Sequence, residues 1–287
     1  MKRLLISFII FNSVFCLFSQ NFKMENVSTS GYNEPFFTFN LWPDEEYSFS
    51  SFQEELKISY GKFSIEKEGP FSYFVLTEKI PDFIIENNSE NKILVLSGMI
   101  KNKINEKTSF LSSYTICYNP DFENGIMSVS FLQNKEYRYS NQTSSYIEGG
   151  KEYSINNLSS LNLATPWIEG VSNYGSGEGF IVDYKYKNEN YLLIMNGYIS
   201  FDKPYLYEQN SRVKQLRITG LESNKSEILT VLDTPYPQTV DISFLDDTEG
   251  FSVEIVDIYK GKKYADTCIQ YLIPYEYEII PFDFSKN

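Results

Sequence analysis

Short runs of β-branched and aromatic residues recur along the whole chain, and this recurrence constrains the fold more than any other feature. The runs return roughly every eight to fifteen residues with turn residues between them, as is typical of β-sandwiches and barrels. No long stretch has a convincing helical period, and the many Tyr and Phe residues favour strands. The sequence therefore predicts an all-β protein.

The second half of the chain predicts a two-sheet sandwich. In its last strand Phe251, Val253 and Ile255 alternate with Ser252 and Glu254, which places one face in a core and the other in water. The strands predicted in this half are 180–184, 191–195, 216–219, 228–232, 240–245 and 251–259.

The first half predicts a separate small antiparallel β domain. Gly61 between two short apolar runs indicates a hairpin, and Asn124-Gly125 is a turn signal before an alternating run. The strands predicted here are 57–60, 63–65, 73–76, 93–96, 115–118 and 126–131. The polar segment 134–145 lacks the apolar spacing that buries a strand, so it is interpreted as a linker. The predicted domains are therefore 21–135 and 136–287.

Residues 1–20 have the layout of a secretory signal peptide. Lys2 and Arg3 precede an apolar stretch that is too short to span a bilayer, and no later segment is apolar enough to do so. Cys16 leaves lipidation open as an alternative, although Phe15 stands where a small residue is preferred. We expect an extracytoplasmic protein, in the periplasm, on the outer surface or secreted, without a transmembrane span after signal removal.

Charge and missing residue types exclude several classes of function. The net charge of −13 repels nucleic acid and anionic lipid headgroups. The chain has no histidine, which excludes Ser-His-Asp and Cys-His catalytic sites and the commonest zinc sites. Two carboxylates can still hydrolyse glycosides, so that reaction stays open.

Cys117 and Cys268 either bridge the two halves or are two separately buried thiols.

The glycine-rich segment from Gly175 to Gly179 does not match a dinucleotide-binding loop. The fingerprint requires a third glycine where this chain has Phe180, and a helix where this chain predicts a strand. We interpret the segment as a tight surface loop that leads into the strand beginning at Phe180.

A set of motifs in the second half carries a resemblance to a known family. The motifs are Trp167-Ile168-Glu169-Gly170, the loop Gly175-Ser176-Gly177-Glu178-Gly179, Asn196-Gly197-Tyr198, Tyr207 with Asn210, Arg212, Val213 and Lys214, and Asp266-Thr267. Their order resembles the NADase-type glycan-binding domain, a discoidin-like member of the galactose-binding jelly-roll folds of exported bacterial proteins. The resemblance covers about residues 159–273. It departs from the family at Gly179-Phe180, where an aromatic such as Trp is expected nearer the loop.

The resemblance implies a galactose-binding-like jelly roll that binds carbohydrate through loops at one end of the sandwich. The NAD-cleaving activity in the family name is not carried over, because nothing before the matched region looks like an NAD-cleaving site. Sugars need aromatic rings for their C–H faces and amide, guanidinium or carboxylate groups for their hydroxyls. The predicted ligand-binding residues are Trp167, Glu169, Tyr174, Asn196, Tyr198, Tyr205, Tyr207, Asn210, Arg212 and Asp266.

Several of these residues have a structural alternative. Trp167 can plug the end of the sandwich, and Tyr205 and Tyr207 share one face of a strand if that segment is extended, so either can cover a sheet. Arg212 can simply pair with one of the many acids. Glu169 and Asp266 can hold a structural calcium ion, and no other cofactor is expected.

These observations predict an exported, non-catalytic carbohydrate-binding protein of the bacterial envelope or secretome, whose partner is a glycan or glycoconjugate. The alternative is an envelope adhesion or scaffold module that binds proteins through the same loops. A carboxylate glycoside hydrolase is the third hypothesis. Because single sugar sites are weak, an oligomer or a partner protein would supply avidity.

Overall fold

The computed structural model describes residues 24–25, 37–41, 45–51, 57–81, 91–104, 107–118, 126–129, 139–141, 146–148, 151–159, 165–172, 174–183, 189–245 and 248–282. Within these ranges the regular structure is almost entirely β, with two short 3-10 turns and a five-residue α-helix. The prediction of an all-β protein is therefore confirmed.

The N-terminal part forms one large antiparallel sheet. Its strands are β1 Met24–Glu25, β2 Phe37–Leu41, β3 Glu46–Ser51, β4 Lys57–Glu68, β5 Phe71–Leu76, β6 Lys92–Ile104, β7 Lys107–Tyr118 and β8 Ile126–Val129. They pair in the order β1-β8-β7-β6-β5-β4-β3-β2. Neighbouring strands are consecutive in sequence except at β1, so most of the sheet is built from hairpin-like connections.

Gly61 lies inside the continuous strand β4, so the prediction of a hairpin around it is wrong. Gly61 pairs with Tyr47 of β3, and a Cβ added at this glycine would lie 2.6 Å from the Tyr47 ring. The glycine therefore leaves room for a large buried ring to lie across the strand, rather than marking a turn.

The C-terminal part contains β9 Tyr139–Asn141, β10 Ile147–Glu148, β11 Lys151–Glu152, β12 Trp167–Ile168, β13 Gly179–Asp183, β14 Tyr191–Asn196, β15 Ser211–Gly220, β16 Ser226–Thr230, β17 Gln238–Asp241, β18 Gly250–Tyr259, β19 Thr267–Tyr275 and β20 Glu278–Phe282. The 3-10 turns are Ile155–Ser159 and Ser243–Leu245, and the helix α1 is Tyr205–Gln209. Residues 240–245 were predicted to form one strand, but the strand ends at Asp241. Ser243–Leu245 form a 3-10 turn instead.

The main C-terminal sheet has the order β17-β14-β19-β15-β18-β13-β9, with β12 paired to β19 and β16 to β15. Buried side chains from strands across this sheet, including Phe180, Ile194, Leu216, Val253 and Leu272, belong to one apolar cluster. The sheet therefore closes over a single core, which fits the predicted sandwich.

Strand β9 lies within the segment that was predicted to be a linker. Tyr139 packs edge-on against Phe180, with 6.0 Å between ring centroids, and its hydroxyl donates a 2.6 Å hydrogen bond to the carbonyl of Leu272. A single tyrosine thus anchors this edge strand, which is why the segment could do without an alternating apolar pattern.

The two parts of the chain share a second apolar core. Phe71 and Tyr73 of β5 belong to the same buried cluster as Leu193 and Met195 of β14. The alternate residues of β14 face the sandwich core instead, so both faces of this strand are covered. Strand β20 pairs with residues 97–101 of β6, and β5 pairs with residues 92–94 of the same strand. Residues 278–282 therefore belong to the N-terminal sheet rather than to the sandwich.

Cys268 is a buried, free thiol, and burial raises its pKa well above the ordinary range of a cysteine. The bridge to Cys117 is therefore not formed in this structure.

The predicted signal peptide, Cys16 and the turn at Asn124-Gly125 lie outside the described residues. Among the described residues no helix is long and apolar enough to cross a membrane.

Candidate ligand-binding site

An open cleft of about 380 Å³ lies where the loop after β14, the helix α1 and the turn after β18 meet the hairpin of β10 and β11. Five tyrosines line it, namely Tyr146, Tyr153, Tyr198, Tyr205 and Tyr264. Ile168 and Leu206 add apolar surface. We call this site the tyrosine cleft.

One wall of the tyrosine cleft is a row of aromatic rings. Tyr146 and Tyr153 flank the β10–β11 hairpin, and their ring centroids are 6.0 Å apart. The ring of Tyr153 lies edge-on to Tyr198, with 6.3 Å between centroids. The hairpin is held to β12, because the Tyr146 amide donates to the carbonyl of Ile168 and the Ile168 amide donates to that of Tyr153.

Gly197 sets the position of Tyr198. Its φ of +86° is left-handed, and a Cβ there would lie 2.7 Å from the Tyr207 ring and 2.8 Å from Cγ of Arg212. Only glycine meets both conditions without strain. The Gly197 amide donates a 3.0 Å hydrogen bond to the carbonyl of Cys268, which fixes the chain as it enters the cleft.

The opposite wall is formed by α1 and the turn 261–264. The amides of Lys263 and Tyr264 donate to the carbonyl of Gln209, at 3.1 and 2.8 Å, and thereby cap the last turn of the helix. Gly261 permits this contact, because a Cβ on it would lie 2.3 Å from the Gln209 carbonyl oxygen. The two segments therefore form one rigid wall.

The polar groups of the cleft surround the rings. The residues that supply them are Lys203, Gln209, Asn210, Lys263 and Asp266. Gln209 has a buried side-chain oxygen without a hydrogen-bond partner among the described residues. Asn210 donates from Nδ2 to the Leu206 carbonyl at 2.9 Å. The cleft thus combines stacking surfaces with amide, ammonium and carboxylate groups.

An ion pair between the buried Arg212 and the partly exposed Asp233 supports the cleft from below. Arg212 donates from Nε and Nη2 to the two carboxylate oxygens of Asp233, at 2.8 and 2.7 Å. Its Nη1 also donates to the carbonyls of Asn210 and Tyr207, at 2.9 and 3.3 Å, which places a positive charge at the carboxyl end of α1. Burial acts to lower the pKa of Arg212, but the bonds and charge of Asp233 outweigh it and raise that pKa overall.

Tyr207 belongs to this support rather than to the cleft surface. Its side chain is only 3% exposed, and its hydroxyl donates to Asp233 at 3.1 Å. Burial, followed by the negative charge of Asp233, raises the pKa of Tyr207 well above its ordinary value. Tyr205 is 52% exposed, because the segment is helical and the two rings leave it in different directions. The shared strand face that an extended segment would give these tyrosines does not form.

Three further predicted residues are enclosed in the protein. Trp167 is fully buried and packs edge-on against Phe180 in the sandwich core, so its ring is not available for stacking. Asn196 is buried, donating from Nδ2 to the Val213 carbonyl and accepting from the Val213 amide at Oδ1. Glu169 accepts backbone amides at both oxygens, from Val171 at 2.8 Å and Thr267 at 3.0 Å.

The glycine loop wraps around Glu169. Gly175 and Gly177 have positive φ, and a Cβ on Gly175 would lie 2.6 Å from Cγ of Glu169. Burial raises the pKa of Glu169, while the two amide donors act to lower it. The loop leads into β13 at Gly179, as the sequence predicts. Among the described residues no group of three or more acidic or cysteine side chains is placed to hold a metal ion.

Comparison with known proteins identifies the C-terminal half. Residues 133–273 match the family model described as the NAD glycohydrolase translocation F5/8 type C domain. The C-terminal half of this chain is a discoidin-like domain. The resemblance found in the sequence is therefore confirmed.

A search of curated proteins finds no match to the chain. Among solved structures, this chain is similar to CBM32-1 from a family 31 glycoside hydrolase from Clostridium perfringens. That similarity has 12% sequence identity and a TM-score of 0.36, and it covers 49% of this chain and 94% of the other.

The discoidin-like domain brings four of the ten predicted residues together at the tyrosine cleft, namely Tyr198, Tyr205, Asn210 and Asp266. Five others, Trp167, Glu169, Asn196, Tyr207 and Arg212, are buried. Tyr174 lies on the glycine loop with Nζ of Lys260 at 5.1 Å from its ring centroid. The cleft residues that the prediction missed are Tyr146, Tyr153, Ile168, Lys203, Leu206, Gln209, Lys263 and Tyr264.

Part of this missed set carried a signal in the sequence. Lys263 and Tyr264 stand one residue before the Asp266-Thr267 motif, in a Lys- and Tyr-rich turn that is unusual for so acidic a chain. Tyr146 and Tyr153 flank a Gly-Gly pair, which is a hairpin signal. Recognising that hairpin would have placed both rings at one end of the sandwich.

Proposed function

We propose that the discoidin-like domain binds carbohydrate in the tyrosine cleft and that the protein acts as a non-catalytic binding protein outside the cytoplasm. The observation that carries the proposal is the set of five tyrosine rings around an open cleft with amide and charged groups at its rim. Tyrosine presents a flat apolar face to the C–H groups of a sugar and a hydroxyl at its edge. The family match supports a binding module of this type.

The chemistry of the cleft favours binding over hydrolysis. A carboxylate glycosidase places two acids on either side of the bond to be cut, about 5 to 9 Å apart. Among the described residues that line the cleft, Asp266 is the one acid. We therefore expect any bound glycan to be recovered intact after prolonged incubation.

The proposed location rests on the predicted signal peptide in residues 1–20. Fractionation of the source cells, followed by N-terminal sequencing of the mature chain, tests it. A mature N-terminus near residue 20 in a periplasmic or extracellular fraction is expected. Recovery of the full chain from the cytoplasm would contradict this part of the proposal.

A glycan array with the full mature chain, followed by calorimetry on the best glycan, tests the binding function. We expect Tyr205→Ala to abolish measurable binding, because it removes an exposed stacking ring at little cost in stability. Tyr60→Ala is the matched control, since Tyr60 is 69% exposed but lies on β4, away from the cleft.

The outcomes separate the hypotheses. Loss of binding in Tyr205→Ala but not in Tyr60→Ala supports a sugar site in the cleft. No binding to any glycan by the folded wild-type chain would overturn the proposal and favour the protein-binding alternative. Unchanged binding in Tyr205→Ala would place the site outside the cleft and overturn its assignment.

A further inference from the structure

We infer that the tyrosine cleft selects anionic saccharides, in which a carboxylate or sulfate group on the sugar meets Lys203 and Lys263. This inference rests on the proposed function and names the class of ligand that the same site takes. Both lysines line the cleft, Lys203 just before α1 and Lys263 in the turn that caps it.

The lysines of the cleft differ from four other cations of this domain in lacking an acidic partner. Arg212, Lys214 and Arg217 form salt bridges of 2.6 to 2.7 Å with Asp233, Asp257 and Glu254, and Lys262 pairs with Glu208. Among the described residues neither Lys203 nor Lys263 forms a salt bridge with a carboxylate. The chain has 38 acidic and 25 basic residues, so its overall charge is negative. Two lysines without an acidic partner in one cleft therefore have the opposite sign to the chain as a whole.

The ammonium group of Lys263 is held beside the aromatic surface. Its Nζ lies 4.6 Å from the ring centroid of Tyr264, which keeps the charge over the rim of the cleft. A sugar stacked on the cleft tyrosines would therefore place an anionic substituent within reach of this cation. The backbone of the turn is fixed by the α1 carbonyls, so little ordering is required on binding.

Asp266 is the opposing charge in the cleft. It lines the same surface, and its side chain would repel an anionic group placed next to it. The described residues that line the cleft therefore carry two ammonium groups and one carboxylate, which sum to one positive charge. We therefore expect the ligand anion to lie toward the lysines and a sugar hydroxyl to donate to Asp266.

Matched glycan pairs test the inference by calorimetry on the full mature chain. The carboxylate pairs are sialyllactose with lactose and trigalacturonate with its methyl ester, and the sulfate pair is sulfated lactose with lactose. We expect the anionic member of at least one pair to bind about tenfold more tightly at low salt, and the preference to shrink in 0.5 M NaCl because salt screens exposed charges.

Two variants and a control place the preference on the named lysines. Lys203→Met and Lys263→Met should each reduce the anionic preference about threefold, and the double variant should remove it, as expected of exposed charge contacts. Lys214→Met is the control, because Lys214 is a partly exposed lysine of the same domain that pairs with Asp257 and does not line the cleft. That variant should keep the wild-type preference.

The results distinguish the two levels of the proposal. Equal binding of charged and neutral members would overturn the anionic selectivity and leave carbohydrate binding intact. An unchanged preference in the double variant would also overturn it, by placing the anion elsewhere. Absence of binding to every glycan, neutral ones included, would overturn the proposed function itself. A preference confined to carboxylates or to sulfates would support the inference and identify the source of the charge.

Discussion

Arg212 supports the tyrosine cleft from beneath, without lining it. The guanidinium makes a bidentate pair with Asp233 and two further bonds to the carbonyls at the end of α1. Its ζ carbon also lies 5.0 Å from the Tyr207 ring centroid, so charge, aromatic ring and helix end are linked in one group. The helix wall of the cleft is therefore held by an ion pair whose two residues do not line the cleft.

We predict that Asp233→Asn lowers the free energy of unfolding by about 1–2 kcal/mol. It leaves the buried guanidinium of Arg212 without its counter-charge, and the loss is below that of a fully buried pair because the side chain of Asp233 is 36% exposed. Asp257→Asn is the control, since it breaks the exposed pair with Lys214 and should change stability far less. Urea unfolding of both variants measures the difference. Equal destabilisation would show that the Arg212 pair has no special structural role.

At the scale of single residues, the sequence could not separate ligand contacts from supports. Trp167, Asn196 and Arg212 are residue types that a sugar site uses, yet each is satisfied inside the protein. The partner of Arg212 is Asp233, which is far from it in sequence and carries no motif. Long-range pairing decides which of these polar groups faces outward, and sequence spacing does not contain that information.

The loop between β14 and α1 is the element on which the cleft depends, and the N-terminal sheet contacts it directly. The hydroxyl of Tyr73 on β5 donates a 3.0 Å hydrogen bond to the Phe201 carbonyl, and the two rings meet edge-on at 5.5 Å. Phe71 of the same strand lies edge-on to Tyr207 at 5.8 Å. The N-terminal sheet therefore supports the wall that carries Lys203 and Tyr205.

We predict that Tyr73→Phe weakens glycan binding although Tyr73 does not line the cleft. Loss of the hydroxyl leaves the Phe201 carbonyl without this donor and lowers the free energy of unfolding by about 1 kcal/mol. Tyr236→Phe is the control, because it removes a hydroxyl that bonds Ser72 in the same core but not on the cleft loop. Calorimetry should show reduced affinity in Tyr73→Phe alone. Unchanged affinity in both variants would show that the loop holds its shape without this contact.

Element prediction succeeded where local pattern decides the structure and failed where tertiary contact does. The alternation at 251–259 predicted β18 almost residue for residue. By contrast, Tyr205 to Gln209 form a helix whose C-terminus is capped by the turn 261–264, which is distant in sequence, and by Arg212, which is held by the more distant Asp233. A five-residue helix has little stability of its own, so its sequence gives a weak signal.

For the molecule as a whole, strand β20 connects the two halves, because it follows the sandwich in sequence and pairs with the N-terminal sheet. The chain leaves the sandwich after β19 and pairs its last strand with β6 of the N-terminal sheet. Ile279 of this strand is buried in the core shared by both halves, and its amide donates a 2.7 Å hydrogen bond to Oγ1 of Thr239 in β17. A boundary near residue 136 marks a change of sheet, but the shared core makes each half stabilise the other.

We predict that the two halves unfold in a single transition and that Ile279→Ala lowers the free energy of unfolding by about 2–4 kcal/mol. The substitution removes buried methyl groups from the shared core and leaves a cavity there. Ile228→Ala is the matched control, because Ile228 is half exposed on β16 and should change stability by less than about 0.5 kcal/mol.

A Trp42→Phe background makes the measurement specific, since the chain has two tryptophans and Trp167 then reports on the sandwich core alone. Fluorescence should report the unfolding of the sandwich, and far-UV circular dichroism should report the unfolding of both halves. Coincident midpoints that shift together in Ile279→Ala are expected for one cooperative unit. Separate midpoints, with only the circular dichroism transition shifted by Ile279→Ala, would contradict this prediction and would mean that the sandwich is stable without the N-terminal sheet. Tyr73 would then support the cleft through its local contacts alone.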